Sequence, residues 1–165
     1  MHALEVRGDL ATFAASRTPA WHNLGTTVPD DMGVEEALTL SRLDDWDLTK
    51  VPVYAATDGG WVEVPDKVAV TRVNPFTRDG RDVLGVTGPD YALVSNEMGA
   101  AYMQAILDTD EVVVDALGSL HDGKQVFVTM RRPEDVLIPG TDDKIRNFLI
   151  GTWRHDGGGS VQERP

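Results

Sequence analysis

The sequence predicts an α+β fold: a mainly antiparallel sheet with one principal helix packed on it. Three observations favour this class. Short segments of alternating apolar and polar residues recur along the chain, as in half-buried strands. Turns rich in Asp, Asn and Gly connect most of these segments, which is how antiparallel strands are joined. The regularly alternating helices of a doubly wound parallel fold are missing from the pattern.

A short N-terminal helix is predicted near residues 33–43. Asp30 and Asp31 precede it, and acidic residues near its start interact favourably with the positive end of the helix dipole. One side of this helix carries Val34, Ala37, Leu38 and Ser41. Residues 1–20 are predicted to be loosely ordered, and residues 21–165 to form a single domain.

Four strands are predicted between the two helices. They cover residues 51–53, 61–64, 67–73 and 83–86. The turn Asp58-Gly59-Gly60 separates the first two strands, and Asn74-Pro75 ends the third. The loop at residues 77–81 then turns the chain into the fourth strand.

The principal helix is predicted at about residues 97–108, with Asn96 as its N-cap. Its apolar residues recur at helical spacing and predict a stripe that lies on the sheet. The stripe consists of Met98, Ala101, Tyr102, Ala105 and Ile106.

The clearest hairpin follows this helix. Residues 112–120 and 125–132 are predicted strands, joined by the tight turn at residues 121–124. Pro133 and Pro139-Gly140 indicate a loop. Residues 144–155 are then predicted to form one final strand.

Charge and composition limit the classes of function. The 165 residues carry a net charge of −12, and residues 1–66 hold 12 acidic against 4 basic residues. This first part would repel a polyanion, because attraction to nucleic acid comes mainly from cationic side chains. No apolar run approaches the length of a membrane span, and the absence of Cys excludes disulfides and thiolate zinc sites. A cytoplasmic protein is the expected class.

No motif assigns a catalytic residue, a metal site or a cofactor. The four histidines are His2, His22, His121 and His155, and their spacing does not fit a metal site. His22 beside Trp21 is better explained by packing or hydrogen bonding. The acidic stretch at residues 44–47 lacks the Gly and the distant Glu of a calcium loop, which favours a solvated turn.

Two glycine-containing stretches are similarly uninformative. Residues 85–89 lack the Lys-Ser/Thr ending of a phosphate loop, and Pro89 removes an amide donor. Residues 155–160 resemble a reactive cluster, but a glycine-rich turn after the last strand is the simpler explanation.

One face of the predicted final strand is basic and aromatic. Side chains alternate along a strand, so one face carries Lys144, Arg146, Phe148, Ile150, Thr152 and Arg154. The preceding strand ends in Arg131 and Arg132. Cations and an aromatic ring in this arrangement could bind a single nucleic-acid strand. The alternative is an edge strand whose charges discourage pairing with another sheet.

Several short motifs occur in a fixed order along the chain. They are Trp21-His22 with Leu24-Gly25, then residues 32–38, Trp46-Asp47, Asn74-Pro75-Phe76, Gly85-Val86, Tyr91, residues 94–97, Gly118-Ser119-Leu120 and His155-Asp156-Gly157. In this order, over roughly residues 20–162, they resemble the phage/plasmid-like protein family, the domain-of-unknown-function family numbered nine-three-two.

The resemblance implies a mobile-element protein from a phage, prophage or plasmid, acting in a bacterial cytoplasm. It implies no established activity, cofactor or catalytic residue. Members of the family continue well beyond the His155-Asp156-Gly157 turn, whereas this sequence stops at Pro165. We therefore expect an incomplete fragment of a longer family domain.

Two hypotheses of function follow, and both are non-enzymatic. The first is nucleic-acid metabolism, such as binding or annealing of single-stranded DNA, through the basic and aromatic face. The second is an acidic accessory protein that binds a host protein, for instance in counter-defence. A hydrolase that uses His22 or His155 is a weaker third alternative.

Overall fold

The described residues form two helices, a six-stranded sheet, a three-stranded sheet and two two-stranded ribbons. The computed structural model describes residues 3–17, 23–108, 112–132, 136–137, 144–145, 147–159 and 162–164. The helices are α1 (Val34–Leu40) and α2 (Asn96–Leu107). The strands before α2 are β1 (Val6–Arg7), β2 (Leu10–Ala11), β3 (Phe13–Ser16), β4 (Thr26–Val28), β5 (Thr49–Thr57), β6 (Gly60–Val73) and β7 (Arg81–Thr87). Those after it are β8 (Val113–Leu120), β9 (Gln125–Arg131), β10 (Val136–Leu137), β11 (Lys144–Ile145), β12 (Phe148–Arg154) and β13 (Gln162–Arg164).

This architecture confirms the predicted α+β class. The larger sheet has six strands in the order β13-β12-β9-β8-β3-β4, and only its β3–β4 pair is parallel. A separate sheet has the order β5-β6-β7. The β8–β9 hairpin, with its turn at residues 121–124, is confirmed. None of the helices in the described ranges is long and apolar enough to cross a membrane.

The N-terminal segment forms strands β1, β2 and β3, whereas the sequence predicts a loosely ordered segment there. β3 lies between β4 and β8 in the larger sheet, and all four of its residues are buried. A strand buried on both faces shows no alternation of apolar and polar residues. The sequence Phe-Ala-Ala-Ser therefore carried no recognisable strand signal.

The smaller sheet also differs from the prediction. The segments predicted as separate strands at residues 61–64 and 67–73 belong to one long strand, β6, which pairs with β5 and β7. The fourth predicted strand, at residues 83–86, is confirmed and lies within β7.

Helix α2 packs on the larger sheet through a different side from the predicted stripe. The buried residues of α2 are Asn96, Gly99, Ala100 and Met103, whereas Met98 and Tyr102 are exposed. Gly99 lies against Trp153 of β12, and Met103 lies above Gly151. The small residues let the helix approach the sheet closely. The N-cap is Ser95, whose hydroxyl accepts a hydrogen bond from the Met98 amide, and not Asn96.

The close contact of Gly99 with Trp153 leads to a prediction about stability. A Cβ atom on Gly99 would come within 2.7 Å of Trp153. Gly99→Ala is expected to lower the free energy of unfolding by about 1–2 kcal/mol, because overpacking outweighs the better helix propensity of alanine. Urea unfolding measures this. The control is Gly88→Ala, where nothing lies within 4 Å of the new Cβ atom. Equal stability of the two variants would contradict the close packing of Gly99 against Trp153.

The predicted final strand is interrupted in the structure. β11 (Lys144–Ile145) pairs with β10 in a separate two-stranded ribbon, and β12 begins at Phe148. Arg146 lies outside the described residues. One continuous strand over residues 144–155 is therefore a wrong prediction, because the chain changes its pairing partner between β11 and β12.

Candidate functional site

An open groove lies between α1 and α2. It has a volume of about 640 Å³. Its apolar lining residues are Gly33, Val34, Leu38, Ala100, Ala101 and Ala105. The alanines on α2 make the floor shallow and smooth. The exposed side chains of Met98 and Tyr102 extend the apolar surface along the same helix.

The rim of this groove is acidic. Its polar lining residues are Glu35, Thr39, Asp44, Glu97, Gln104 and Asp108, and none of the lining residues is Lys or Arg. Asp44 is paired with Arg78 at 3.0 Å. Within the described ranges, Glu35 and Glu97 have no ion pair, and both are exposed. The groove thus offers an apolar floor with uncompensated negative charge beside it.

The acidic stretch at residues 44–47 lies in the loop between α1 and β5. Asp44 and Asp47 form ion pairs with Arg78 and Arg81, and Trp46 is buried between the sheets. The described residues contain no group of three or more His, Cys, Asp or Glu side chains that could hold a metal ion.

A buried polar cluster centres on Asn96. Its side-chain oxygen accepts hydrogen bonds from Trp153 Nε1 at 2.9 Å and from His155 Nε2 at 3.0 Å. Its amide nitrogen donates to the carbonyl of Leu43 at 2.8 Å, which fixes the orientation of the amide. The imidazole of His155 therefore carries its proton on Nε2. The cluster ties α2 to β12 and to the chain after α1.

His155 is fully buried, with 0% of its surface exposed, and it packs edge-on against Trp46. The pKa of His155 is lowered from 6.5 to about 4. Burial is the main cause, the positive charge of Arg72 acts in the same direction, and Asp156 opposes the shift. Its second nitrogen, Nδ1, has no hydrogen-bond partner among the residues described. A neutral, enclosed imidazole of this kind has a structural role in the Asn96 cluster.

A second buried cluster links the smaller sheet to the N-terminus. The guanidinium of Arg72 in β6 pairs with Glu5, with an Nη1–Oε2 distance of 3.1 Å. Arg72 also lies over the ring of Trp46, 4.1 Å from its centroid. Glu5 accepts hydrogen bonds from Thr12 and Ser119 as well. These groups are buried and hold the two sheets together.

Two of the candidate nucleic-acid contacts are paired with carboxylates. Arg131 pairs with Asp31 at 2.5 Å and with Asp115 at 3.5 Å, and its side chain is only 11% exposed. Arg154 pairs with Asp156 at 2.6 Å, an interaction that lowers the pKa of the Asp156 carboxyl to about 2. The charge of both arginines is therefore compensated within the protein.

The remaining candidates lie in different parts of the structure, and β12 itself lies between β9 and β13 and not at an edge of the larger sheet. Arg132 and Phe148 are exposed. The alternation predicted for Phe148, Ile150, Thr152 and Arg154 is present in β12, since Gly151 and Trp153 are buried on the other face. Lys144 lies in β11, away from this strand, and Arg146 is outside the described part of the chain.

The family-motif residues have structural positions. Leu24 packs against the cluster formed by Leu4, Phe13 and Phe127, and a Cβ atom on Gly25 would come within 2.2 Å of the carbonyl oxygen of Phe13. Trp21 and His22 lie outside the described residues. His155 is in the Asn96 cluster. Asp156 binds Arg154 and the amide of Gly158, which shapes the turn at Gly157.

Sequence reasoning missed the groove. Ala101 and Ala105 were predicted to face the sheet, whereas they line the groove. The feature of the sequence that points to the acidic rim of the groove is an acidic residue in the first turn of each helix, Glu35 in α1 and Glu97 in α2.

Residues 83–164 match the family model described as Domain of unknown function (DUF932). The match includes α2, the β8–β9 hairpin, β12 and the motif residues His155, Asp156 and Gly157. No curated protein and no solved structure shows significant similarity to the chain. Through residues 83–164, the chain belongs to this family of domains of unknown function.

Proposed function

We propose that the protein is a non-enzymatic binding protein that recognises a basic partner protein through the groove between α1 and α2. The observation that carries this proposal is the combination of an apolar floor with a rim that contains acidic but no basic side chains. Such a surface complements a partner that presents apolar and cationic groups together.

The shape of the groove favours an amphipathic helix as the bound element. Two helices form its walls, and α2 spans twelve residues, or about 18 Å. Ala101 and Ala105 would let a third helix approach closely, and Met98 and Tyr102 would contact its apolar side. Lysines or arginines on the flanks of that helix would face Glu35 and Glu97. Amphipathic helices commonly bind in grooves of this kind.

The biological setting in this proposal comes from the family resemblance. It is a mobile element of phage, prophage or plasmid origin, with the protein acting in the bacterial cytoplasm on a host protein. A counter-defence factor that masks a basic host surface fits both this setting and the acidic character of residues 1–66.

The groove is tested with a synthetic helical peptide of about five turns, made only of leucine and lysine. Titration by fluorescence anisotropy is expected to give saturable binding at about 20 mM salt that weakens at about 500 mM. Ala101→Lys is expected to weaken binding at least about 10-fold, or about 1.4 kcal/mol. The new side chain would fill the floor and repel the lysines of the peptide.

The matched control is Val83→Lys, which adds the same charge at an exposed position on β7 that does not line the groove. It is expected to bind the peptide like the wild type. A second control peptide replaces every lysine by glutamate and is expected not to bind. Equal binding by the Ala101→Lys and Val83→Lys variants would overturn the groove as the site.

Binding of single-stranded nucleic acid is the second candidate function. It is favoured by the exposed apolar face of Phe148 and Ile150, which lies close to the exposed Arg132 at the end of β9. A base could stack on the ring of Phe148. The pairing of Arg131 and Arg154 with carboxylates makes this the weaker candidate.

The nucleic-acid candidate is tested with a labelled single-stranded oligonucleotide. If it is correct, binding at low salt will weaken as salt increases, and Phe148→Ala will weaken it by about 5-fold to 100-fold, the range for a lost stacking contact. Leu10→Ala, an exposed apolar residue in β2, serves as the control. No binding at low salt would exclude this candidate.

A further inference from the structure

The hairpin of β5 and β6 extends beyond the third strand of its sheet. β7 pairs with β6 only between Val68 and Val73. Beyond this point, β5 and β6 continue as a two-stranded ribbon from the Tyr54–Glu63 pair to the Thr57–Gly60 pair. The register shifts between Pro52 and Tyr54, so that the ribbon begins at an irregularity. We call residues 53–66 the β-arm.

The β-arm exposes large apolar side chains. Every residue from 54 to 63 is exposed, including Trp61 at 75% and Tyr54 at 51%. Directly paired residues share a face of a ribbon, and residues two apart along a strand do too. Tyr54, Ala56 and Trp61 therefore lie on one face. An isolated two-stranded ribbon such as the β-arm is at best marginally stable in water. Exposed clusters of aromatic side chains such as this one are typical of binding sites.

The negative charge of the β-arm indicates that its partner is basic. Residues 53–66 contain Asp58, Glu63 and Asp66 and no Lys or Arg. From this arrangement we infer that the β-arm is a binding arm that inserts Trp61 and Tyr54 into an apolar pocket of a folded partner protein, and that Lys or Arg side chains surround this pocket. Tryptophan and tyrosine are the residue types that most often anchor protein interfaces.

Two other occupants fit less well. Nucleic acid is disfavoured because its phosphates would meet three carboxylates and no cation on the arm. A second copy of the chain is disfavoured because two arms would bring their carboxylates together. The groove between α1 and α2 of another copy is also acidic. The β-arm is separate from that groove in sequence and in lining residues, so its role does not depend on the function proposed above.

Photo-crosslinking in bacterial cells tests this inference with the full chain. A benzophenone amino acid replaces Trp61 in one variant and Val83, an exposed residue of β7 outside the arm, in the other. We expect position 61 to crosslink one protein in excess over position 83. Crosslinks to a second copy or to nucleic acid, or equal crosslinking from both positions, would overturn the inference.

The crosslinked protein is then purified, and its binding to the full chain is measured by calorimetry. Trp61→Ala is expected to weaken binding about 30-fold, the size typical of a truncated anchor residue. Val83→Ala should bind like the wild type, and all variants should have the same urea midpoint. Glu63→Gln is expected to reduce the salt dependence of binding. Unchanged affinity of Trp61→Ala would refute insertion of the arm.

Discussion

Replacing Glu5 by Gln is expected to lower the free energy of unfolding by about 3–5 kcal/mol, the largest effect of any single substitution proposed for this protein. Glu5 and Arg72 form a buried ion pair, with side chains 8% and 1% exposed. Gln keeps the size of Glu5 but removes its charge. The guanidinium of Arg72 then stays buried with only the more distant Asp82, at 3.4 Å, to compensate it.

Urea unfolding of the purified variant measures this effect. Asp44→Asn is the matched control, because it also removes a carboxylate charge from an arginine pair, but at the surface. It is expected to cost less than about 1 kcal/mol. The double variant Glu5→Met/Arg72→Met should recover part of the lost stability, since no unpaired charge remains. If Glu5→Gln and Asp44→Asn lost equal free energy of unfolding, the buried Glu5–Arg72 pair would contribute no more to stability than a surface ion pair.

The elements predicted correctly from the sequence are those with strong local signals. The β8–β9 hairpin consists of two apolar segments joined by a tight turn that contains Gly123. Helix α1 begins after acidic residues and buries Val34, Ala37 and Leu38. Strand β3 was missed because both of its faces are buried, which removes alternation. The division into two sheets was missed because local periodicity does not specify which strands pair.

The orientation of α2 shows a second limit. Two stripes at helical spacing compete on this helix, one with Met98, Ala101 and Tyr102 and one with Gly99, Ala100 and Met103. Hydrophobicity alone favours the first stripe. The second stripe nevertheless faces the sheet, because Gly99 and Gly151 leave room for the side chains of Trp153 and Met103. This fit depends on contacts between residues 54 and 48 positions apart and cannot be derived from the helix sequence by itself.

The candidate site depends on the same orientation. Once Gly99 faces the sheet, Ala101 and Ala105 necessarily face α1 and form the floor of the groove. The sequence did predict an acidic surface in residues 1–66, and Glu35 belongs to it. It predicted free cations at Arg131 and Arg154, but it could not reveal that Asp31 and Asp156 neutralise them, because the Arg131–Asp31 pair joins residues 100 positions apart.

The buried state of His155 predicts a loss of stability in mild acid. Burial and the nearby Arg72 charge lower its pKa from 6.5 to about 4, although Asp156 acts in the opposite direction. A proton added to this imidazole would go to Nδ1, which has no acceptor among the described residues. The unfolded chain therefore binds the proton more readily than the folded one between these two pH values.

The sign and size of the effect follow from this difference. The stabilisation by neutral His155 is complete above pH 6.5 and is lost as the pH falls through the pKa of the folded state, near 4. The loss between pH 7 and pH 4 is expected to be about 3 kcal/mol. Asp156, with a pKa of about 2 in the fold, loses its own contribution only at lower pH, below its ordinary value of 3.8.

Urea unfolding at a series of pH values from about 4.5 to 7.5 measures this loss. His155→Gln is expected to be less stable at neutral pH, because it disturbs the contacts with Asn96 and Trp46, and to show a flatter dependence on pH. His121→Gln, at an exposed position in the β8–β9 turn, should keep the wild-type slope. The buried carboxylates are common to all three proteins, so a difference in slope reports on His155 alone. Parallel profiles for the wild type and His155→Gln would mean that this imidazole is not held neutral by its burial.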